Sequence, residues 1–420
     1  MKRRLLVVLI LGFSSGLPLN LLTSTLQAWF SQAGLSVMET GLLSLIGLPY
    51  IFRALLAPAL DRYTLFSLGK RRSWVAMMHI FLFIGLNVLA WCSPSTSAHF
   101  MACTALTLAF CSAIQDAAID AHRTEYLPAK AHGIGVSLAV TGYRLALLVA
   151  GGLALFIAAS SGWQVSYHIM SLFLIPGFLC VLFTQEPSSE YSDTTDFVTA
   201  FIKPFKALLM RRGIVLLLFF VFFYKLGEAF TTSTSGIVMP FLIQGMGFSL
   251  DTIALVNKVI GIIAIICGGL IGGLILLRCS LFKSLMAFGI LQATTNALFV
   301  LLAIKGKSVP LLATAVIFDN LAAGMGTTAL LALFMRLVDK HYTATQLSIL
   351  IAISTIPRVI SGPLAASIQS SFGWVGMYQI SVILALLFIP FLLLVRGPFD
   401  LGLSISMPYF PITGRSRKGA

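Results

Sequence analysis

Charge is the scarcest commodity in this sequence. Only 10% of its 420 residues are Asp, Glu, Lys or Arg, while 58% are hydrophobic, and the mean hydropathy is +0.97. A soluble domain carries about a quarter charged residues, so a water-soluble globule is excluded and an integral membrane protein is indicated. Acids are scarcer than bases, 14 against 28, for a net charge of +14. In short loops between apolar runs that excess marks membrane topology, so no nucleic-acid partner is expected. Six cysteines (Cys92, Cys103, Cys111, Cys180, Cys267 and Cys279) lie in or beside apolar segments without C-x-x-C spacing. This excludes a disulfide framework and a thiolate metal site, and leaves them as small core residues. There is no phosphate loop, metal spacing or Ser-His-Asp arrangement, so neither an enzyme nor a cofactor is expected; His122 and His132 read as solvated loop residues.

What is there is a succession of apolar runs. A span needs roughly 20 such residues, and no alternating ten-residue segments suggest a barrel. The reading is an all-α membrane protein of twelve helices: 5–30, 41–60, 73–92, 98–121, 133–158, 163–183, 213–243, 251–277, 281–303, 308–337, 346–369 and 374–395. MKRRLLVVLILGF resembles a secretory signal, but the run continues to Phe30 without a cleavage site and reads as the first span. Most of the 28 Lys and Arg, among them Arg3, Arg71, Arg72, Arg123, Lys206, Arg278 and Arg336, fall on one side if the N-terminus is cytoplasmic. Both termini are therefore expected inside.

One long polar interruption divides the chain. The expected organisation is a six-helix half over 1–184, a cytoplasmic linker over 185–212, a second six-helix half over 213–396 and a basic cytoplasmic tail over 397–420. The halves share a faint repeat at one offset. Gly162, Trp163 and Tyr167 recur as Gly373, Trp374 and Tyr378, and Arg72–Ser73 as Lys283–Ser284. Two similar halves imply a transporter with its site between them, near the membrane midplane.

Nine ionisable residues remain at membrane depth: Arg53, Asp116, Asp120, Arg144, Lys225, Glu228, Lys258, Asp319 and Arg358. Each costs about 2.5–3.5 kcal/mol at the bilayer centre, over ~20 kcal/mol together if unpaired. They must face a polar cavity or one another. Asp116 and Asp120 sit four apart on one helical face, near a C-terminal end where the dipole disfavours anions, which makes one a candidate proton carrier. Asp116 lies about 6 Å deeper by helical rise, so it is the expected proton site and Asp120 its partner toward the gate. Gln115 is placed to bind substrate through its amide. Lys225 and Glu228 share a face and suit an intrahelical pair. Arg144 suits an anionic substrate group, a helix-four carboxylate or a permanent structural pair. Asp319 precedes a glycine-rich stretch read as a turn, and is either a site residue or a packing anchor. SSGLP in the first helix marks a kink. Asp61 and Arg62, followed by GKRR, read as a cytoplasmic latch of ion pairs or as plain positive-inside charge.

Taken in order, GFSSGLPLNLLTSTLQAW, PALDRY, GKRR, FCSAIQDAAIDA, GYRLALLVAGGLAL, KLGEAF, LVNKVIG, LFKSLMAFGILQATTNA, FDNLAAGMGT and YTATQLSIL resemble the AmpG-type muropeptide permeases of Gram-negative bacteria, a branch of the major facilitator superfamily. That resemblance covers almost the whole chain. It implies the major facilitator fold and proton-driven import of N-acetylglucosaminyl-anhydro-muramyl peptides across the inner membrane, by a monomer. By the same resemblance Asp116 and Asp120 couple protons, while Arg53, Gln115, Arg144, Lys225, Glu228, Lys258 and Asp319 line the path. Siderophore importers and acyl-CoA transporters of the superfamily are the alternative.

Overall fold

The computed structural model describes residues 2–52, 60, 63–128, 131–184, 205–210, 213–338 and 343–395. Arg53, Asp61 and Arg62, with nearly all of the linker and the tail after 395, lie outside the described residues.

Among the described residues nine helices are long and apolar enough to cross a membrane. In chain order these supply α1 (Lys2–Gln32), α3 (Lys70–Trp91), α4 (Pro94–Tyr126), α5 (Ile134–Ser161), α6 (Trp163–Phe183), α8 (Leu250–Leu276), α9 (Leu281–Lys305) and α10 (Val309–Leu337). The ninth, Gln346–Leu394, folds back at Gly373, whose φ of 68° breaks the helix. It therefore counts as two, α11 (346–372) and α12 (374–394). Two more complete the twelve: α2 (Val37–Ile51), and α7 (Ile214–Ala229), which resumes as Val238–Pro240 and Phe241–Gly245.

The spans match the apolar runs because hydrocarbon leaves a backbone no partner outside its own helix. Departures have local causes. Residues 213–243 read as one helix, but Thr231-Thr232-Ser233-Thr234-Ser235-Gly236 interrupts it: Thr231 Oγ1 donates to Glu228 O, and Gly236 takes φ 85°. The kink expected at SSGLP is realised as a π-helical turn at Leu21–Thr25, just after Pro18. Residues 320–327 are not a turn but continuous helix within α10, because Gly324 is accommodated against the Ile265 carbonyl and Gly268 of α8.

α1 to α6 pack mainly on one another, as do α7 to α12. Across the two groups the principal contacts are α2 with α11, α5 with α8, and the ends of α1 and α7. All lie at the end where α1 finishes. There a Cβ on Gly362 would come within 2.2 Å of Gly41 O, Ser44 Oγ donates to Val359 O at 2.6 Å, and Gln244 Nε2 donates to Ser31 O and Leu35 O at 2.9 and 2.8 Å. Toward the end where the chain begins, no helix pair across the groups is in comparable contact among the described residues. The result is a cleft sealed at one end.

The sequence repeat has a matching structural role. Gly162 (φ 89°) and Gly373 (φ 68°) make the tight reversals before α6 and α12, a conformation open mainly to glycine. Behind them Trp163 and Tyr167 pack on Trp29 of α1, with ring centroids at 5.5 and 5.1 Å, while Trp374 and Tyr378 pack on Phe241 of α7 at 5.3 and 4.7 Å.

Candidate functional site

Among the described residues the intramembrane charges other than Arg144 sort into four places. In α4, Asp116 is half-buried and accepts from Ser15 Oγ of α1, while Asp120 pairs with Arg123 of its own helix at 3.0 Å. The two carboxylates do share one face of one helix, since one turn separates them. Their expected basic neighbour Arg144 is not the partner: Asp120 has a nearer one in the same helix, three residues on.

Gln115 points the other way. It is fully buried, and its Nε2 lies 3.0 Å from His79 Nδ1 of α3. Its amide therefore serves the α3–α4 contact and is not presented to the cleft, because one residue along a helix is a turn of about 100°. His122 is also buried and stacks on Tyr126 at 5.0 Å, since α4 runs on to Tyr126 and carries it into the bundle.

The second place is in α7, where Lys225 Nζ donates to Glu228 Oε2 and, at 3.1 Å, to Thr327 Oγ1 of α10. Lys225 and Glu228 line a small polar depression with Thr232, Ser354, Thr355 and Arg358. Arg358 of α11, to which the sequence assigns membrane depth but no role, joins them here. Its phase on the helix, with Ser354 and Thr355 one turn earlier, was the available signal.

Asp319 occupies the third place, buried within the second group. It accepts from Gln292 Nε2 at 2.6 Å and Thr295 Oγ1 at 3.2 Å, both from α9. Of the two roles left open, this geometry is that of a packing anchor.

The fourth is the seam. Lys258 of α8 is buried and donates through Nζ to Ser24 Oγ of α1. Three π-helical turns meet here: Leu21–Thr25 in α1, Val149–Leu153 in α5 and Ala254–Ile260 in α8. Such turns change the backbone pairing and release carbonyls, and side chains of α1 take up two of α5's. Asn20 Nδ2 donates to Leu147 O at 3.2 Å, and Thr25 Oγ1 to Ala150 O at 2.6 Å. Of these polar residues only Lys258 was singled out from the sequence, although LNLLTST is conspicuously polar for a midplane segment.

Near the start of the chain, Arg71 of α3 forks onto Glu125 of α4, with Nη2 to Oε1 at 2.7 Å and Nε to the same oxygen at 3.0 Å. Among the described residues no three His, Cys, Asp or Glu converge as a metal site would require.

A bundle sealed at one end, with charges from both groups along the cleft, is a vessel for solute rather than a reaction centre. Residues 8–362 match the family described as Major Facilitator Superfamily. Over 377 residues, 90% of this chain and 76% of the relative, the sequence is 41% identical to the anhydromuropeptide permease of Escherichia coli K12. It is 29% identical to a putative transporter AmpG 4 of Rickettsia conorii, over 91% of this chain and 94% of that one. The fold superposes on a POT family transporter, solved with a thioalcohol-conjugated peptide, with a TM-score of 0.73 over 94% of this chain and 95% of that one, at 12% identity.

Proposed function

The chain belongs to the Major Facilitator Superfamily, in the line of the anhydromuropeptide permeases, and from that premise we propose that it imports N-acetylglucosaminyl-anhydro-muramyl peptides across the bacterial inner membrane, together with protons. It is a multi-pass membrane transporter, not an enzyme. Kinship with the Escherichia coli permease along nearly the whole chain is the observation that carries the cargo.

The rest of the reading follows from the charges. Most of the Lys and Arg lie at the end where the chain begins, so that end and both termini face the cytoplasm. The sealed end then faces the periplasm, and the state described is open inward. Transport by a monomer consists of the two groups of helices rocking about the cleft, so that the seam at Lys258 and Gly362 opens as the other end closes. Asp116 carries the proton, Asp120 with Arg123 stands between it and the cytoplasm, and Arg144, Lys225, Glu228 and Arg358 line the cargo's path. Arg53 belongs to the same set by sequence. Lys258 guards the periplasmic end of that path. Asp61 and Arg62 belong to the cytoplasmic gate.

The test is uptake of radiolabelled anhydro-muropeptide by proteoliposomes under an imposed proton gradient, acid outside. Accumulation above the level without a gradient is expected; no uptake of this cargo in either condition would overturn it.

A further inference from the structure

Two arginines deepen this reading, and the inference rests on it. Arg144 of α5 and Arg358 of α11 are both half-buried, and among the described residues neither guanidinium has a hydrogen bond or ion pair. They occupy corresponding helices of the two groups, the ones that end in Gly162 and Gly373. At 1.5 Å per residue, Arg144 lies about 15 Å along α5 from Ile134 and Arg358 about 18 Å along α11 from Gln346. Both are thus near mid-membrane.

Both also look across the cleft. Two turns beyond Arg144, the same side of α5 carries Gly151 and Gly152, whose neighbours are Lys258 and Val259 of α8. One turn beyond Arg358, Gly362 meets Gly41 of α2, and Ser361 on the adjacent face donates to Ala229 O of α7. Arg358 therefore points between α7 and the opposite group. The other charges nearby are already matched: Lys225 with Glu228, Asp120 with Arg123. Two guanidiniums at this depth, one per wall, are left for a ligand to satisfy.

We propose that Arg144 and Arg358 form a two-point anion clamp that selects cargo carrying two separated carboxylates. Each guanidinium takes one carboxylate in a forked contact. In the empty cleft two like charges on facing walls oppose closure at the cytoplasmic end. A dianion cancels that repulsion and binds the closed form better than the open one, which is what a ligand must do to drive the change. A cargo with one carboxylate or none satisfies one point at most.

The purified full chain is titrated with the disaccharide-peptide and with the same molecule amidated at its carboxyl groups. The unaltered protein is expected to bind the acid at least tenfold more tightly. Arg144→Gln and Arg358→Gln each remove the preference for acid over amide; Arg144→Lys and Arg358→Lys, which keep the charge but not the fork, retain part of it. Equal affinity of the unaltered protein for acid and amide would overturn the clamp. A second measurement needs no cargo: spin labels at Thr124 in α4 and Met335 in α10 report the width of the cleft. The R144Q/R358Q double variant should shorten that distance in the empty protein, and an unchanged distance would overturn the clamp. If the unaltered protein binds neither molecule, the muropeptide reading fails and the label distance alone decides the clamp.

Discussion

Asp116 and Asp319 show how differently one residue type is used a few helices apart. Asp116 is half-buried, with a serine hydroxyl as its neighbour. Asp116→Asn is expected to abolish gradient-driven accumulation while leaving cargo counterflow, which needs no net proton movement; undiminished accumulation would remove the residue from the coupling role. Asp319 instead holds Gln292 and Thr295 inside the second group. Asp319→Ala strands those donors, which costs about 1–3 kcal/mol, and should lower the melting temperature in detergent by several degrees; an unchanged melt would show the contacts to be dispensable. The sequence exposed both residues as charges out of place, but not this division. Which way a helical side chain points depends on the neighbour across it, as Gln115 shows: adjacent to Asp116 in sequence, it faces His79 rather than the cleft.

The seam is a meeting of helices rather than of single side chains. α2 and α11 touch through Gly41 and Gly362, where any added Cβ would overlap a carbonyl. Gly362→Val should hold that end ajar, so that a thiol-reactive probe applied from that side reaches a cysteine placed at Ser44, which is buried in the unaltered protein. A cysteine that stays protected would mean the helices re-close around the valine. The existence and order of the helices were legible because each apolar run has the length a bilayer demands. Less so were the three π turns around Lys258 and the break in α7. Periodicity in one strand of sequence reports whether a helix exists, while its local winding is settled by the carbonyls that a neighbour such as Asn20 or Thr25 can satisfy.

At the scale of the whole molecule, the offset shared by Gly162-Trp163-Tyr167 and Gly373-Trp374-Tyr378 foreshadowed two matching reversals with aromatic packing behind them. The cargo was legible only through resemblance, since a cleft's charge says what sign it attracts and not which molecule. The closure of that cleft has a further consequence. Among the described residues its polar cross-group contacts are glycine backbones, hydroxyls, one amide and a lysine bonded to a serine, beside apolar packing of Ala28, Leu155 and Ala158 on the second group, with no cation–carboxylate pair. Ion pairs weaken as electrolyte rises, whereas contacts of this kind do not. In the orientation proposed above, that side faces a space that takes its salinity from the surroundings, and such a closure would behave alike in dilute and in briny habitats. Exchange rates measured with the outer-side buffer varied from 10 mM to about 1 M salt, where the screening length shrinks from roughly 30 to 3 Å, should stay within a factor of about two; a steep salt dependence would reveal an electrostatic lock on that side.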